Sequence, residues 1–358
     1  MRQLAAAVPW SQVLASPDGS RLVAISRGPG ATSWLGKFNP AGKAAVAVID
    51  SSTMTVLARN ELGWDASDAQ ITADGKSAVI LSPGAASKPF SSIYVVDLAS
   101  GNVVARQHLP RRAAGSLLAG SGHVAVYFEG APKNGVPTLL SFLELPSLEM
   151  AEEVRIDRKT VAPAAFENHD LIYLLEQSGF RPATLYAVSI AQRKLVATHP
   201  VGEVASIGAF DPAASRLYVL SQSSTRGKHG FNGRIDIFRN GEVEHALKTT
   251  DYPTKMTFTP DRTRALIHSS TDTSVLDIAT MQQDEKPVSY VGVPHSIAFT
   301  PDQKRAVLFM ASEEGCCGAI LFDVEKKEAI KHMRVGGAGI RIAEALLAAK
   351  PIGWVVLP

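Results

Sequence analysis

The chain has 358 residues and a mass of 38.1 kDa, enough for two ordinary domains or one large all-β domain. Its 36 Lys and Arg nearly balance its 34 Asp and Glu, so charge gives no drive toward nucleic acid or an anionic membrane. With 46% hydrophobic and 20% charged residues it reads as a folded globular chain, and no run of about 18 apolar residues marks a transmembrane helix.

The N-terminal stretch Met1–Pro9 is too short in its apolar part to be a complete signal peptide. A series of short apolar strands then follows, each introduced by a turn. Ser16-Pro17-Asp18-Gly19 leads into Leu22–Ser26, and Ala73-Asp74-Gly75 into Ala78–Ser82. Val124–Phe128, Leu171–Leu175 and Leu217–Ser221 come next. Pro260-Asp261 precedes Ala265–Ser269, and Pro301-Asp302 precedes Ala306–Met310. The starts of these seven strands are spaced 56, 46, 47, 46, 48 and 41 residues apart.

A second series runs in phase with the first, at Val46–Asp50, Ile93–Asp97, Leu140–Glu144, Leu185–Ser189, Arg234–Phe238, Thr273–Asp277 and Ala319–Asp323. Five of its seven members end in Asp or Glu, a residue that can accept backbone N–H bonds and tighten the turn that follows. A third series precedes the first, as in Lys255–Thr259 and Ser296–Thr300. A fourth follows the second, as in Lys194–Thr198 and Ala329–Met333.

Four short strands in every repeat of about 47 residues define the blade of a β-propeller. A lone four-stranded sheet cannot bury both faces, whereas stacked sheets bury one another. The expected fold is therefore all-β, a single propeller domain over residues 1–358 built of four-stranded antiparallel blades. Seven repeats fit between Trp10 and Val335. Residues 336–358 are either a C-terminal extension or a partial eighth blade, with Gly339–Ala343 and Ile352–Leu357 as its strands. Ile342–Lys350 also reads as a helix by propensity. Seven blades is the expectation and eight the alternative.

Turns in an antiparallel meander alternate between two edges. One edge carries minimal turns such as Pro17-Asp18-Gly19 and Ser100-Gly101-Asn102. The other carries long loops between the second and third strands, including 26–43, 82–92, 129–137, 176–184, 221–233 and 311–318. Loops longer than connection requires tend to carry function, and aromatics and Arg anchor interfaces. The candidate binding face is accordingly Arg27, Trp34, Phe38, Phe90, Phe180, Arg181, His229 and Phe231, with Trp10, Trp64, Asp65 and His295 from the linkers between repeats.

The only two cysteines, Cys316 and Cys317, are adjacent and flanked by Gly315 and Gly318, which excludes a disulfide framework and a Cys-based zinc site. A vicinal disulfide is expected in an oxidising compartment and two thiols in a reducing one. The nine histidines show no metal-binding pairing, and the chain lacks a Gly-x-Ser-x-Gly elbow, a phosphate loop and a Cys-x-x-Cys. No metal, cofactor or catalytic residue is predicted.

Segments such as Ile93-Tyr94-Val95-Val96-Asp97-Leu98-Ala99-Ser100-Gly101-Asn102 and Pro294–Asp302 resemble the repeat of bacterial YVTN-type β-propellers. Lactonases and amine dehydrogenase large subunits have similar repeats. The resemblance implies the fold, and an exported, periplasmic or secreted protein that binds an unidentified protein or small molecule. The alternative is a propeller enzyme, a lactonase-like hydrolase or an amine-dehydrogenase-like oxidoreductase subunit, with its site at the mouth of the central channel.

Overall fold

A computed structural model describes residues 12–26, 44–63, 66, 68–83, 90–120, 122–131, 135–160, 164–165, 170–176, 181–211, 213–227, 230–249, 253–269, 272–283, 287–289, 293–300, 302–311, 317–335 and 355–357. All regular structure among them is β. The chain divides into two compact units, Met1–Gln177 with Leu185–Thr198, and Ser178–Thr184 with His199–Pro358.

In the first unit, β1 (Gln12–Ala15), β2 (Arg21–Ser26), β3 (Ala45–Asp50) and β4 (Thr55–Glu61) form an antiparallel sheet in sequential order. β5 (Asp68–Ile71), β6 (Ser77–Ser82), β7 (Ser92–Asp97) and β8 (Val103–His108) repeat the arrangement. So do β9 (Gly115–Ala119), β10 (His123–Phe128), β11 (Thr138–Glu144) and β12 (Met150–Ile156). β13 (Ala164–Ala165), β14 (Leu171–Leu175) and β15 (Pro182–Ser189) open a fourth run, which leads into β16 (Lys194–Asp211).

β16 is 18 residues long and serves two repeats. Its first part belongs to the fourth run. Its last part, through Asp211, pairs with β17 (Arg216–Gly227), which pairs with β18 (Gly230–Arg239) and then β19 (Glu242–Thr249). The two runs thus share one seven-stranded sheet, and among the described residues six sheets hold the seven sequence repeats.

In the second unit, β20 (Lys255–Phe258), β21 (Arg264–His268) and β22 (Asp272–Asp277) follow. The outer position there is filled by two short pieces, β23 (Gln282–Gln283) and β24 (Val288–Ser289), both paired with β22. The last sheet comprises β25 (Val293–Phe299), β26 (Arg305–Ala311), β27 (Cys317–Asp323) and β28 (Glu328–Val335), with β29 (Val355–Leu357) added beside β25. β29 therefore joins the seventh repeat's sheet as a fifth strand. The other proposed strand of an eighth blade, at 339–343, and the competing helix reading at 342–350 lie outside the described residues.

Burial explains why the middle strands read as unbroken apolar runs. Successive side chains on a strand point to opposite faces, and here both faces are covered. Ala78, Ile80, Tyr94 and Val96 pack against Val23, Ile25, Val46 and Val48 of the preceding sheet. Their neighbours Val79, Leu81, Ile93 and Val95 pack against Val124, Val126 and Phe128 of the following one. The same sharing joins β17 and β18 to β21 and β22 through Tyr218, Leu220, Ile235, Ile237, Ala265 and Ile267.

Candidate binding edge

The two edges of the sheets differ in their chemistry. At the short-turn edge one motif recurs four times. Ser16, Thr72, Thr259 and Thr300 each donate a side-chain hydrogen bond to the Asp two residues on, over 2.6–2.7 Å. The same hydroxyls accept the backbone N–H of Arg21, Ser77, Arg264 and Arg305. Each Asp accepts a further backbone N–H, from Ser20, Lys76, Thr263 and Lys304. The residue that closes the turn has positive φ in every case: Gly19, Gly75, Arg262 and Gln303.

The second set of Asp residues behaves as the sequence suggests. Asp50 accepts from Ser52 and Thr53, Asp97 from Ser100, Asp277 from Thr280, and Asp323 from Glu325 and Lys326. For Asp50, Asp97 and Asp277 these bonds stabilise the ionised form. The Ser16 hydroxyl, with Ser20, holds the Asp18 carboxyl at about 2, and the Ser52 hydroxyl, with Thr53, does the same for Asp50. Asp74, Asp97, Asp277 and Asp302 are lowered by equivalent bonds.

Backbone bonds such as Ser51 N–H to Ser20 O, Leu98 to Lys76 and Val324 to Lys304 place both turns of a repeat on one edge. Side chains then link one repeat to the next. Arg21 donates to Leu98 O at 3.2 Å, Asn60 to Gly101 O at 2.7 Å and Arg264 to Val324 O at 3.2 Å. Gly101 has φ of 75°, and a Cβ there would lie 2.7 Å from the Ala58 Cβ.

The opposite edge carries the loops and linkers. Ser91 anchors one of them, donating to Pro83 O and accepting the Ala113 N–H. Arg111 lies 5.1 Å from the Phe128 ring centroid and donates to Pro137 O. Lys159 pairs with Glu129 at 2.9 Å. Phe90 is 62% exposed, and Arg181 is exposed just before β15.

The segment 221–233, expected to be a loop, is mostly strand. β17 and β18 continue past the Gln222–Gly233 pair, with Arg226 opposite Phe231 and Gly227 opposite Gly230. The flanking strands do not follow: β16 pairs with β17 no further than Gln222, and β19 reaches β18 only to Gly233. The result is a two-stranded ribbon extending beyond its sheet on the loop edge.

Of the remaining predicted residues, Trp10, Arg27, Trp34, Phe38, Trp64, Asp65, Phe180, His229 and Cys316 lie outside the described residues. The backbone of His295 sits at an irregularity of β25 between Pro294 and Ser296, and that of Cys317 opens β27 opposite Val335. The vicinal disulfide thus falls largely outside the described residues. Among the described residues no group of three or more His, Cys, Asp or Glu could hold a metal ion, and no helix is long and apolar enough to cross a membrane.

Sequence reasoning passed over two buried polar groups. Asp236 is 1% exposed, and burial raises its carboxyl above the usual range despite Arg234, which donates to Oδ1 at 2.6 and 2.8 Å. His268 is fully buried, shares a 2.7 Å hydrogen bond with Thr273, and is lowered by burial to about 3. Both sit in strands whose apolar alternation reads as plain core.

No family model matches the chain, and neither does any curated protein. Solved structures do match. The Dos1 propeller is similar at a TM-score of 0.54 and 12% identity, covering 90% of this chain and 83% of that one. The fold is a β-propeller. A eukaryotic initiation factor matches at TM-score 0.59 and 13% identity, over 91% of this chain and 78% of its own. The dihydro-heme d1 dehydrogenase NirN matches at 0.53 and 13% identity over 92% of this propeller, which spans 66% of the NirN chain. At these identities the likeness is one of fold.

Proposed function

We propose that this chain is a non-enzymatic binding propeller of seven blades that engages a protein partner through its loop edge. The observation that carries the reading is the ribbon at 223–232. It extends past the pairing of β16 and β19, which stops at Gln222 and Gly233, and brings Arg226 and Phe231 into register. A structure with no binding role gains little from such an extension, since an isolated two-stranded ribbon is marginally stable. In the first unit, exposed Phe90, at the loop end of the β5–β8 sheet, is an apolar anchor of the kind that interfaces use. The short-turn edge, by contrast, spends its polar groups on itself.

Affinity capture from the native host tests this with two baits, the intact chain and a Phe90→Ala, Arg226→Ala, Phe231→Ala variant. A partner held by the first and lost by the second, at unchanged melting temperature, is the expected result. Retention by both baits would contradict it. Turnover of a lactone or amine that survives in the triple variant and disappears in Asp236→Asn would favour the enzymatic alternative, because Asp236 is a buried carboxylate with a raised pKa.

A further inference from the structure

The first strand of each sheet has one edge with no strand of its own repeat beside it. Unpaired strand edges attract other strands, and folded proteins cover them. Two such edges are covered here in different ways. The edge of β9 is occupied by side chains of the preceding repeat: Asp68 Oδ2 accepts the Ser116 N–H at 2.8 Å, and Gln70 accepts from Leu118 and donates to Ser116 O. The edge of β25 is occupied by a strand, β29, with Leu357 opposite Ile297, Val356 opposite Ala298 and Val355 opposite Phe299.

The two covers differ in how easily they can be removed. Asp68 and Gln70 belong to β5, which is fixed within its own sheet. Among the described residues β29 pairs only with β25, over three residues, and 19 residues separate it in sequence from the end of β28. A three-residue pairing supplies only a few backbone bonds against the entropy of ordering the segment, and gains from being tethered. β29 also leaves the Val293–Ser296 half of the edge without a strand partner among the described residues.

We propose that the free edge of β25 is a strand-accepting site, and that β29 is its resident, exchangeable occupant. The ligand class is an extended peptide with a short apolar core like Val355-Val356-Leu357, bound antiparallel by main-chain hydrogen bonds. In the full chain the resident strand competes with such a peptide.

The test uses a fluorescent synthetic peptide copying residues 352–358, added to the full chain and to a chain ended at residue 351. Anisotropy should show binding to the shortened chain that is about tenfold or more tighter than to the full chain, the penalty for displacing a tethered competitor. The same peptide with Pro in place of Val356 should bind neither. Circular dichroism and melting temperature establish that the shortened chain is folded. If it is not, Val356→Pro in the full chain serves instead, since it should release β29 and admit the unmodified peptide. Equal binding to the full and shortened chains, or no binding to a folded chain that lacks or has released β29, would overturn the proposal.

Discussion

The two edges of these sheets are built from the same strands but use their polar groups differently. At the short-turn edge, each hydroxyl and carboxylate of the repeated motif is directed at the local backbone, as Thr72 and Asp74 are at Ser77 and Lys76. Links such as Asn60 to Gly101 then join neighbouring repeats. At the loop edge of the second unit, the ribbon at 223–232 runs past the end of β16 and β19 pairing, and in the first unit Phe90 stands 62% exposed. One edge is closed on itself chemically. The other presents Phe90 to solvent, and this contrast supports the proposal that the first edge serves stability and the second recognition.

The largest expected effect breaks the short-turn edge. Gly101→Ala would combine a positive φ of 75° with a Cβ placed 2.7 Å from Ala58, in a turn bound to the preceding repeat. Strain and overpacking together should cost about 2–4 kcal/mol in denaturant unfolding. A loss below about 0.5 kcal/mol would show that the turn yields freely.

A smaller effect is expected from Thr259→Val. It removes the donor to Asp261 and the acceptor for the Arg264 N–H, and should cost about 1–2 kcal/mol. Phe90→Ala at the loop edge should change stability by no more than about 0.5 kcal/mol. If the two substitutions destabilise equally, the division between the edges fails.

Acid titration sharpens the comparison further. Asp18 and Asp50 have folded pKa values of about 2, below the unfolded value of about 3.9. Their contribution is fully present above pH 4 and is lost as pH falls toward 2. His268 has a folded value of about 3 against an unfolded one of about 6.5, so its contribution starts to fall earlier, below pH 6.5, and continues to about pH 3. Stability measured against pH should therefore decline in two stages. His268→Gln should flatten the first stage, and Asp18→Asn should weaken the second. An unchanged upper stage in His268→Gln would exclude the buried imidazole as its source.

Much of the fold is legible in the sequence because two local signals repeat in phase. Asp-Gly and Pro-Asp turns mark the start of the second strand, and Asp or Glu at the end of the third marks the next turn; the hydroxyl two residues before each turn Asp is seen only in the structure. Both act within a few residues, where chemistry alone determines the outcome. Features that depend on distant partners are not legible. Nothing around 194–211 indicates that β16 continues from one repeat into the next. The ribbon is hidden because Ser223-Ser224-Thr225 and Gly227 read as loop, although the chain pairs again at Arg226 and Phe231. The cover of β9 by Asp68 and Gln70 joins residues 48 apart. β29 reads from sequence as a strand of a partial eighth blade, whereas it pairs with β25 of the seventh repeat's sheet, with Val355 opposite Phe299, 56 residues earlier.

The central claim is that partners bind the loop edge and leave the short-turn edge alone. Site-specific photocrosslinking in the native host tests it most directly, with a photoreactive residue at Phe90 or Phe231 in one pair of variants and at Gly19 or Gly75 in the other. The account predicts a partner adduct from Phe231, from Phe90 or from both, and none from Gly19 or Gly75. Adducts of that partner from Gly19 and Gly75, with none from Phe90 or Phe231, would contradict it.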